Sequence, residues 1–194
     1  MDRECMNVVY ASNDGYARHL GTSLYSLLDR NRDFAEISVY VLTLGLSEEN
    51  QGKLREIAEH FGRRLIFLNL DDLLERIGYE VDTGGFDISV MLRLFMGDML
   101  PESVERVLYL DCDTVVLQSL KHLWKEELEG KIVGAVMEPT IYQAVKESID
   151  LGEDDPYYNS GVLLVDLKQW REQEIQKKLL GFWKSKGGKL FASD

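Results

Sequence analysis

The sequence of 194 residues is poor in cysteine, proline and histidine, and it has no long apolar run. Its two cysteines, Cys5 and Cys112, fit no zinc-binding spacing and are too few for a disulfide framework, so we expect a reducing, cytoplasmic location. The three prolines form no linker, which predicts a single domain over residues 1–194. No segment approaches the roughly 20 apolar residues of a transmembrane helix, and no signal peptide is evident at the N-terminus.

Positive charge is also scarce. Lysine and arginine number 22 against 34 aspartates and glutamates, which gives a formal net charge of −12 at pH 7. Nucleic-acid binding depends on clustered Lys and Arg, and an anionic membrane surface attracts the same residues, so neither partner is expected. Because 45% of the residues are hydrophobic, the chain has enough apolar material to form a globular core.

Short apolar runs alternate with segments of helical periodicity along the whole chain. The predicted strands cover residues 6–11, 37–44, 65–68, 105–110, 132–137 and 161–165. Helices are predicted after the first strand, after Ser47, at residues 88–99 and around residues 175–183. This alternation predicts an α/β sheet with helices on both faces.

Ligands of such sheets bind beyond the carboxyl ends of the strands, so the residues that follow each strand are of interest. Asp111 and Asp113 follow the fourth strand, in the run LYLDCDTVV. Two carboxylates one residue apart can hold a hard cation such as Mg²⁺ or Mn²⁺, which in turn can hold a diphosphate. Ordinary turn chemistry is the alternative, since Asp often begins a turn. Two uncompensated charges beside a dry core are costly, which favours the metal.

Other phosphate-binding and nucleophile motifs are absent from the sequence. No G-x-G-x-x-G follows the first strand, and no P-loop or G-x-S-x-G segment occurs. Dinucleotide oxidoreductases, P-loop enzymes and serine hydrolases are therefore not expected. A metal that bridges to phosphate is the remaining route for a phosphorylated ligand.

Four parts of the sequence together resemble glycosyltransferase family 8, the glycogenin and lipopolysaccharide galactosyltransferase type. They are residues 7–27 (NVVYASNDGYARHLGTSLYSL), Arg93, residues 107–124 (VLYLDCDTVVLQSLKHLW) and residues 157–171 (YYNSGVLLVDLKQWR). The resemblance implies a nucleotide-diphospho-sugar transferase (GT-A) fold, with a Rossmann-like mixed sheet flanked by helices. It further implies transfer of a hexose, galactose or glucose, from a UDP-sugar to a glycan or lipid-linked saccharide acceptor, with Mn²⁺ (or Mg²⁺) and net retention.

The resemblance also implies roles for residues near the first and fourth strands. Asp111 and Asp113 correspond to the metal-binding pair. Ala11, Asn13 and Tyr16 resemble the uridine-binding segment, with Tyr16 placed to stack on the base. Asn13 stands where family members often have Asp, and an amide can still pair with uracil. A core aromatic is the structural alternative for Tyr16.

Four further positions complete this set. Arg93 would contact the donor. The backbone of Cys112 would contact the ribose region, and Asn159 would contact the donor sugar near the reacting centre. Surface and turn positions are the structural alternatives for Arg93 and Asn159. Asp194 matches the first residue of the family's Asp-Gln-Asp motif, and later family elements are missing from the sequence. We therefore expect a family member cut at Asp194, with weakened or absent turnover.

Two other functions remain open at this point. A haloacid-dehalogenase-like phosphatase would use Asp111 as nucleophile and Asp113 as general acid, with Val115 completing its first motif. That motif normally opens the core, whereas here a long segment precedes it. A non-catalytic UDP-sugar-binding domain is the second alternative.

Overall fold

The computed structural model of the chain describes residues 5–138 and 143–189. Six strands in these ranges form one sheet. In chain order they are β1 (Cys5–Asn13), β2 (Glu36–Leu44), β3 (Arg64–Asn69), β4 (Arg106–Leu110), β5 (Val133–Met137) and β6 (Tyr158–Asp166). Across the sheet the order is β3-β2-β1-β4-β6-β5. All six lie at or within a few residues of the predicted positions.

The direction of β6 decides which residues meet at the sheet edge. Strands β1 to β4 are parallel to one another, whereas β6 runs antiparallel to both β4 and β5. The first residues of β6 therefore lie at the same edge as the last residues of β1 and β4. The α/β sheet that the sequence predicts is confirmed, and its strand directions are mixed, as the family resemblance implies.

Helices flank the sheet. They are α1 (Ala17–Arg30), α2 (Glu48–His60), α3 (Leu73–Ile77), α4 (Met96–Met99), α5 (Lys121–Lys125), α6 (Gln143–Ser148), α7 (Leu167–Glu172) and α8 (Ile175–Ser185). Ser47 caps α2, as predicted, by accepting a hydrogen bond from the Asn50 backbone N–H. Four of the five short helices, α3, α5, α6 and α7, were not predicted, because one or two turns carry little periodicity. Within the described ranges, no helix combines the length and apolar character needed to cross a membrane.

The segment predicted as an α-helix at residues 88–99 differs from that expectation. Ile88–Phe95 is a 3₁₀-helix, and only α4 continues as an α-helix. The Arg93 Nε donates to the Val90 carbonyl at 3.2 Å, an acceptor that an α-helix would use for the N–H of Leu94. Arg93 therefore lies on a 3₁₀-helix rather than on an α-helix.

The hydrophobic core lies on both faces of the sheet. Val8 and Val9 point to opposite faces of β1, and both are fully buried. One face packs against α1 and α2 through residues such as Leu24, and the other packs against the 3₁₀-helix and α7 through Phe95 and Trp170. The near-continuous apolar runs of β1, β2 and β4 are thus buried on both sides of the sheet.

A chain of hydroxyl groups fixes the segment after β4 to helix α1. Tyr10 Oη lies 2.9 Å from Ser23 Oγ, and Ser23 Oγ lies 3.0 Å from Thr114 Oγ1. Thr114 donates its hydroxyl proton to the Asp111 carbonyl at 2.7 Å. Since each hydroxyl has one proton, Ser23 then donates to Thr114 and Tyr10 donates to Ser23. The chain links a buried tyrosine of β1 to the backbone of Asp111.

The same segment is held at two further points along α1. The backbone N–H of Val116 donates to Ser26 Oγ at 2.9 Å. Farther on, the N–H of Leu120 donates to Oδ1 of the buried Asn31 at 2.7 Å, while Asn31 Nδ2 donates within the helix to Leu27. Helix α1 therefore positions the loop that carries Asp111 and the residues after it.

Replacement of Ser23 by Ala tests this attachment. The buried Tyr10 hydroxyl would lose its hydrogen-bond acceptor, and the Thr114 hydroxyl would lose its hydrogen-bond donor. We therefore expect the free energy of unfolding to fall by about 1–3 kcal/mol. Urea unfolding measures the change. Thr22→Ala, on the exposed neighbouring position of the same helix, should change stability by less than about 0.5 kcal/mol. Equal effects of the two substitutions would contradict the proposed linkage.

Candidate functional site

A cavity of about 160 Å³ opens at the carboxyl ends of β1 and β4. Its wall combines β1, β4 and the 3₁₀-helix. The lining residues are Ala11, Ser12, Asn13, Tyr16, Phe86, Asp87, Ser89, Val90, Arg93, Tyr109, Asp111, Cys112 and Asp113. All seven residues predicted to bind the donor or the metal are among them. A larger open groove of about 990 Å³ between α1 and α2 contains none of these seven.

Asp111 is held by side chains from two elements. Tyr109 Oη donates to Asp111 Oδ1 at 2.7 Å, and Arg93 Nη2 lies 3.3 Å from the same oxygen. The Arg93 guanidinium also lies over the Tyr109 ring, 5.0 Å from its centre. Burial raises the pKa of Tyr109 well above its usual value, so the phenol stays protonated and remains a donor to the carboxylate.

Arg93 also connects the 3₁₀-helix to the start of β6. Its Nη1 donates to Ser160 Oγ at 2.6 Å and to the Ser160 carbonyl at 3.3 Å. Only 12% of the Arg93 side chain is exposed. The structure therefore places Arg93 inside the site, in contact with Asp111, rather than on an outer helix surface.

Asn159 lies beside Asp111, although it does not line the cavity. Asn159 Oδ1 accepts a hydrogen bond from the Gly161 N–H at 2.9 Å, and the Asp111 N–H donates to the Gly161 carbonyl at 2.8 Å. A Cβ at position 161 would lie 2.8 Å from Asp111 Oδ2 and 3.1 Å from Asn159 Oδ1. Only glycine leaves this space open. The other predicted catalytic residue, Asp194, lies outside the described residues.

The two aspartates suit a divalent cation in their chemistry. Carboxylate oxygens are the ligands that Mn²⁺ and Mg²⁺ prefer, and Asp113 is exposed at the mouth of the cavity. Gly161 allows the Asp111 carboxylate to lie close to the backbone of β6. Among residues 5–138 and 143–189, no group of three His, Cys, Asp or Glu side chains is arranged to hold a metal ion.

The opposite end of the cavity is polar and aromatic. Asn13 Oδ1 accepts from the Tyr16 N–H at 3.1 Å, and Asn13 Nδ2 donates to Ser89 Oγ at 3.3 Å. Asp87 accepts from the Ser89 N–H at 2.9 Å and caps the 3₁₀-helix. Tyr16 is 50% exposed, which removes the core alternative for this ring.

Cys112 lies between the two ends and is buried. Its thiol donates to the Ala11 carbonyl at 3.0 Å, which ties the end of β1 to the loop after β4. Cys112 lines the cavity, and its buried thiol is directed to the Ala11 carbonyl.

Several residues of the site were not singled out from the sequence. Tyr109 lay within a strand, Gly161 within an apolar run, and Asp87 before a predicted helix. Asp87 had a recognisable signal, since Asp directly before an apolar periodic segment is a helix cap. Tyr109 and Gly161 had none, because their importance comes from contacts with Asp111.

Comparison with protein families identifies the chain. The model described as "Glycosyl transferase family 8" matches residues 7–193. The chain belongs to glycosyl transferase family 8. The general stress protein A of Bacillus subtilis is 31% identical over 92% of the chain, and the lipopolysaccharide 1,2-glucosyltransferase of Escherichia coli is 27% identical over 94%.

The fold is that of family 8 enzymes. The galactosyltransferase LgtC, solved with donor and acceptor sugar analogues, superposes with a TM-score of 0.81 at 28% identity and covers 94% of the chain. The predicted GT-A fold is thereby confirmed. The chain spans 62%, 54% and 65% of the lengths of the stress protein, the glucosyltransferase and LgtC, respectively.

The environment of Cys112 predicts its chemical reactivity. Burial raises the pKa of its thiol to about 12, so the reactive thiolate is scarce at pH 8. We expect iodoacetamide to modify the exposed Cys5 in the native protein and to modify Cys112 only after unfolding in urea. Peptide mass spectrometry distinguishes the two sites. Equal native rates at Cys5 and Cys112 would contradict the buried position of this thiol.

Proposed function

We propose that the chain belongs to a retaining hexosyltransferase and binds its sugar donor. The reaction would transfer galactose or glucose from a UDP-sugar to a glycan or lipid-linked saccharide. The observation that carries the proposal is the shared cavity, in which Asp111, Asp113 and Arg93 lie beyond the end of β4 while Asn13 and Tyr16 form the other end. The names of the E. coli glucosyltransferase and of LgtC agree with this reaction class.

Asp111 and Asp113 would hold Mn²⁺ or Mg²⁺ in this proposal. The bound cation would neutralise negative charge on the diphosphate of the departing UDP. Tyr109 and Arg93 keep the Asp111 carboxylate in one orientation. Since Arg93 is a partly buried cation at this end of the cavity, it adds positive charge where the leaving group gains negative charge.

The remaining assigned residues surround the donor in this proposal. Tyr16 stacks on the uracil, Asn13 pairs with the base, and Ala11 and Cys112 contact the ribose region through the backbone. Asn159 Oδ1 lies beside the Asp111 carboxylate, close to the expected position of the sugar. We assign it to the orientation of the hexose as the glycosidic bond breaks.

Two elements of the proposal rest on the family or on composition. Asp194 would begin the family's Asp-Gln-Asp motif at the reacting centre. A cytoplasmic location agrees with Cys5 and Cys112, neither of which is in a disulfide. Family membership argues against the phosphatase alternative for Asp111 and Asp113, whereas a non-catalytic UDP-sugar-binding domain would use the same cavity.

Calorimetry with UDP, with and without Mn²⁺, tests the donor site. We expect Mn²⁺ to strengthen UDP binding, and Asp113→Ala to remove most of that gain, at least about tenfold in affinity. Glu59→Ala, which removes an exposed carboxylate from α2, is the control and should leave binding unchanged. UDP binding that responds neither to Mn²⁺ nor to Asp113→Ala would refute the assignment. Detectable hexose transfer from a UDP-sugar would exclude the non-catalytic alternative.

The space beside Asp111 gives a second test. A methyl group at position 161 would collide with Asp111 Oδ2 and Asn159 Oδ1, so Gly161→Ala should displace the carboxylate and weaken Mn²⁺-dependent UDP binding about tenfold or more. Gly181→Ala in α8 is the matched control, because a Cβ there meets no atom within 4 Å. The same calorimetric titration serves for both variants. Unchanged metal-dependent binding in Gly161→Ala would show that the glycine is not needed there.

A further inference from the structure

Asp87 is a charged hydrogen-bond acceptor at the end of the cavity that lies away from the metal pair. It lines the cavity together with Asn13, Tyr16, Phe86 and Ser89. The Ser89 hydrogen bond, supported by Asn13, holds the pKa of the Asp87 carboxyl below its usual value. The side chain is therefore ionised at neutral pH and can only accept hydrogen bonds from a ligand.

The neighbouring amide is already engaged on both sides. Asn13 Oδ1 accepts from the Tyr16 N–H, and Asn13 Nδ2 donates to Ser89 Oγ. Asp87 accepts from the Ser89 N–H at 2.9 Å, and the Ser89 hydroxyl and the Asn13 amide are close enough to lower its pKa further. Since a carboxylate has about four acceptor positions, Asp87 can still accept a hydrogen bond from a ligand at this end of the cavity.

Two exposed aromatic rings frame the same end. Tyr16 is 50% exposed and Phe86 is 53% exposed, and both line the cavity. Exposed aromatic rings provide stacking surfaces for a flat heterocycle, about 1–3 kcal/mol per base in nucleic-acid complexes. Stacking does not distinguish one base from another, so discrimination must come from the hydrogen-bonding groups at the ring edge.

The charges of the cavity set the direction of a nucleotide. Asp87 caps the 3₁₀-helix and Arg93 lies six residues farther along the chain, which at about 2 Å per residue separates the two positions by about 12 Å along the helix axis. A carboxylate repels a diphosphate, whereas Arg93 attracts one. One extended nucleoside diphosphate can span the two positions, with its base at Asp87.

We propose that Asp87 selects the base of the nucleotide by accepting a hydrogen bond from a ring N–H of the lactam type. Uracil carries such a group at N3 and guanine at N1, whereas cytosine and adenine present an acceptor nitrogen at the corresponding ring position. This assignment rests on the proposed function, since it takes the cavity to be the nucleotide site. It places the determinant of base choice on Asp87 rather than on Asn13.

The alternative role of Asp87 is structural, because the same carboxylate caps the 3₁₀-helix. Asn caps helices about as well as Asp, so Asp87→Asn preserves the cap while it replaces the second acceptor oxygen by an N–H donor. A purely structural role would leave base selectivity unchanged in this variant. A role in base selection would alter selectivity while the protein remains folded.

The first experiment uses the unmodified chain with Mn²⁺ and a panel of nucleotides. By calorimetry we expect UDP to bind at least about tenfold more tightly than CDP and than UDP methylated at N3, because both lack the ring N–H. GDP and ADP form a second pair that differs in the same group. Tighter binding of UDP than of CDP and N3-methyl-UDP identifies uracil as the selected base, and tighter binding of GDP than of ADP identifies guanine. Equal affinity for UDP and its N3-methyl derivative, together with equal affinity for GDP and ADP, would overturn the proposal.

The second experiment repeats the panel with Asp87→Asn. We expect the affinity for the preferred diphosphate to fall about 10- to 100-fold and the UDP-to-CDP or GDP-to-ADP ratio to approach one. Asp166→Asn is the matched control, because Asp166 caps α7 by accepting from Gln169 N–H at 2.9 Å and lies at the opposite end of β6. Thermal melting of both variants checks that they are folded. An unchanged ratio in folded Asp87→Asn would overturn the assignment.

The two levels of the proposal fail in different ways. If Asp87 does not select the base, UDP still binds in a manner that depends on Mn²⁺ and Asp113, but the Asp87→Asn substitution leaves the selectivity among bases unchanged. If the cavity is not a nucleotide site, no nucleoside diphosphate binds at any metal concentration. The second result would refute the proposed function together with the base assignment.

Discussion

The ion pair between Arg93 and Asp111 is the contact on which the geometry of the cavity depends. The Arg93 side chain is 12% exposed and the Asp111 side chain 29% exposed, so both charges are partly removed from water. Removal of one member of a fully buried pair costs about 3–5 kcal/mol, and partial exposure lowers that cost here. The pair is stable because Tyr109 and Ser160 supply additional hydrogen bonds. Three sequence-distant segments are thereby held around one carboxylate.

The antiparallel direction of β6 makes this arrangement possible. A sixth strand parallel to β4 would place residues 158–161 at the far edge of the sheet. In the observed register Leu110 pairs with Val162, so the chain that precedes Val162 runs beside the chain that follows Leu110. Gly161 and Ser160 then meet Asp111 and Arg93 without any long loop. Helix α1 fixes the loop after β4 from the other side, so the position of Asp111 is set from two directions.

The sequence was sufficient for the strands, the long helices and the position of Asp111 and Asp113 after the fourth strand, and it was insufficient for the contacts around them. Asp111 and Asp113 are recognisable because a charge pair after a buried strand is unusual. Tyr109 and Gly161 are not, because strand patterns do not specify which side chains meet across the sheet. The 3₁₀-helix was taken for an α-helix since apolar residues three apart, such as Leu92 and Phe95, satisfy both periods.

The distribution of charge explains how a chain of net charge −12 can accommodate an anionic ligand. In salt solution the field of a distant charge is screened within about 8–10 Å. A ligand in a cleft therefore responds mainly to the groups that touch it. At one end of the cavity Arg93 offsets the charge of Asp111, and a cation on the aspartate pair would reverse the local sign. At the other end Asp87 keeps its negative charge. This asymmetry would orient a ligand that is anionic at one end and carries an N–H donor at the other, which a uniformly basic cleft would not do.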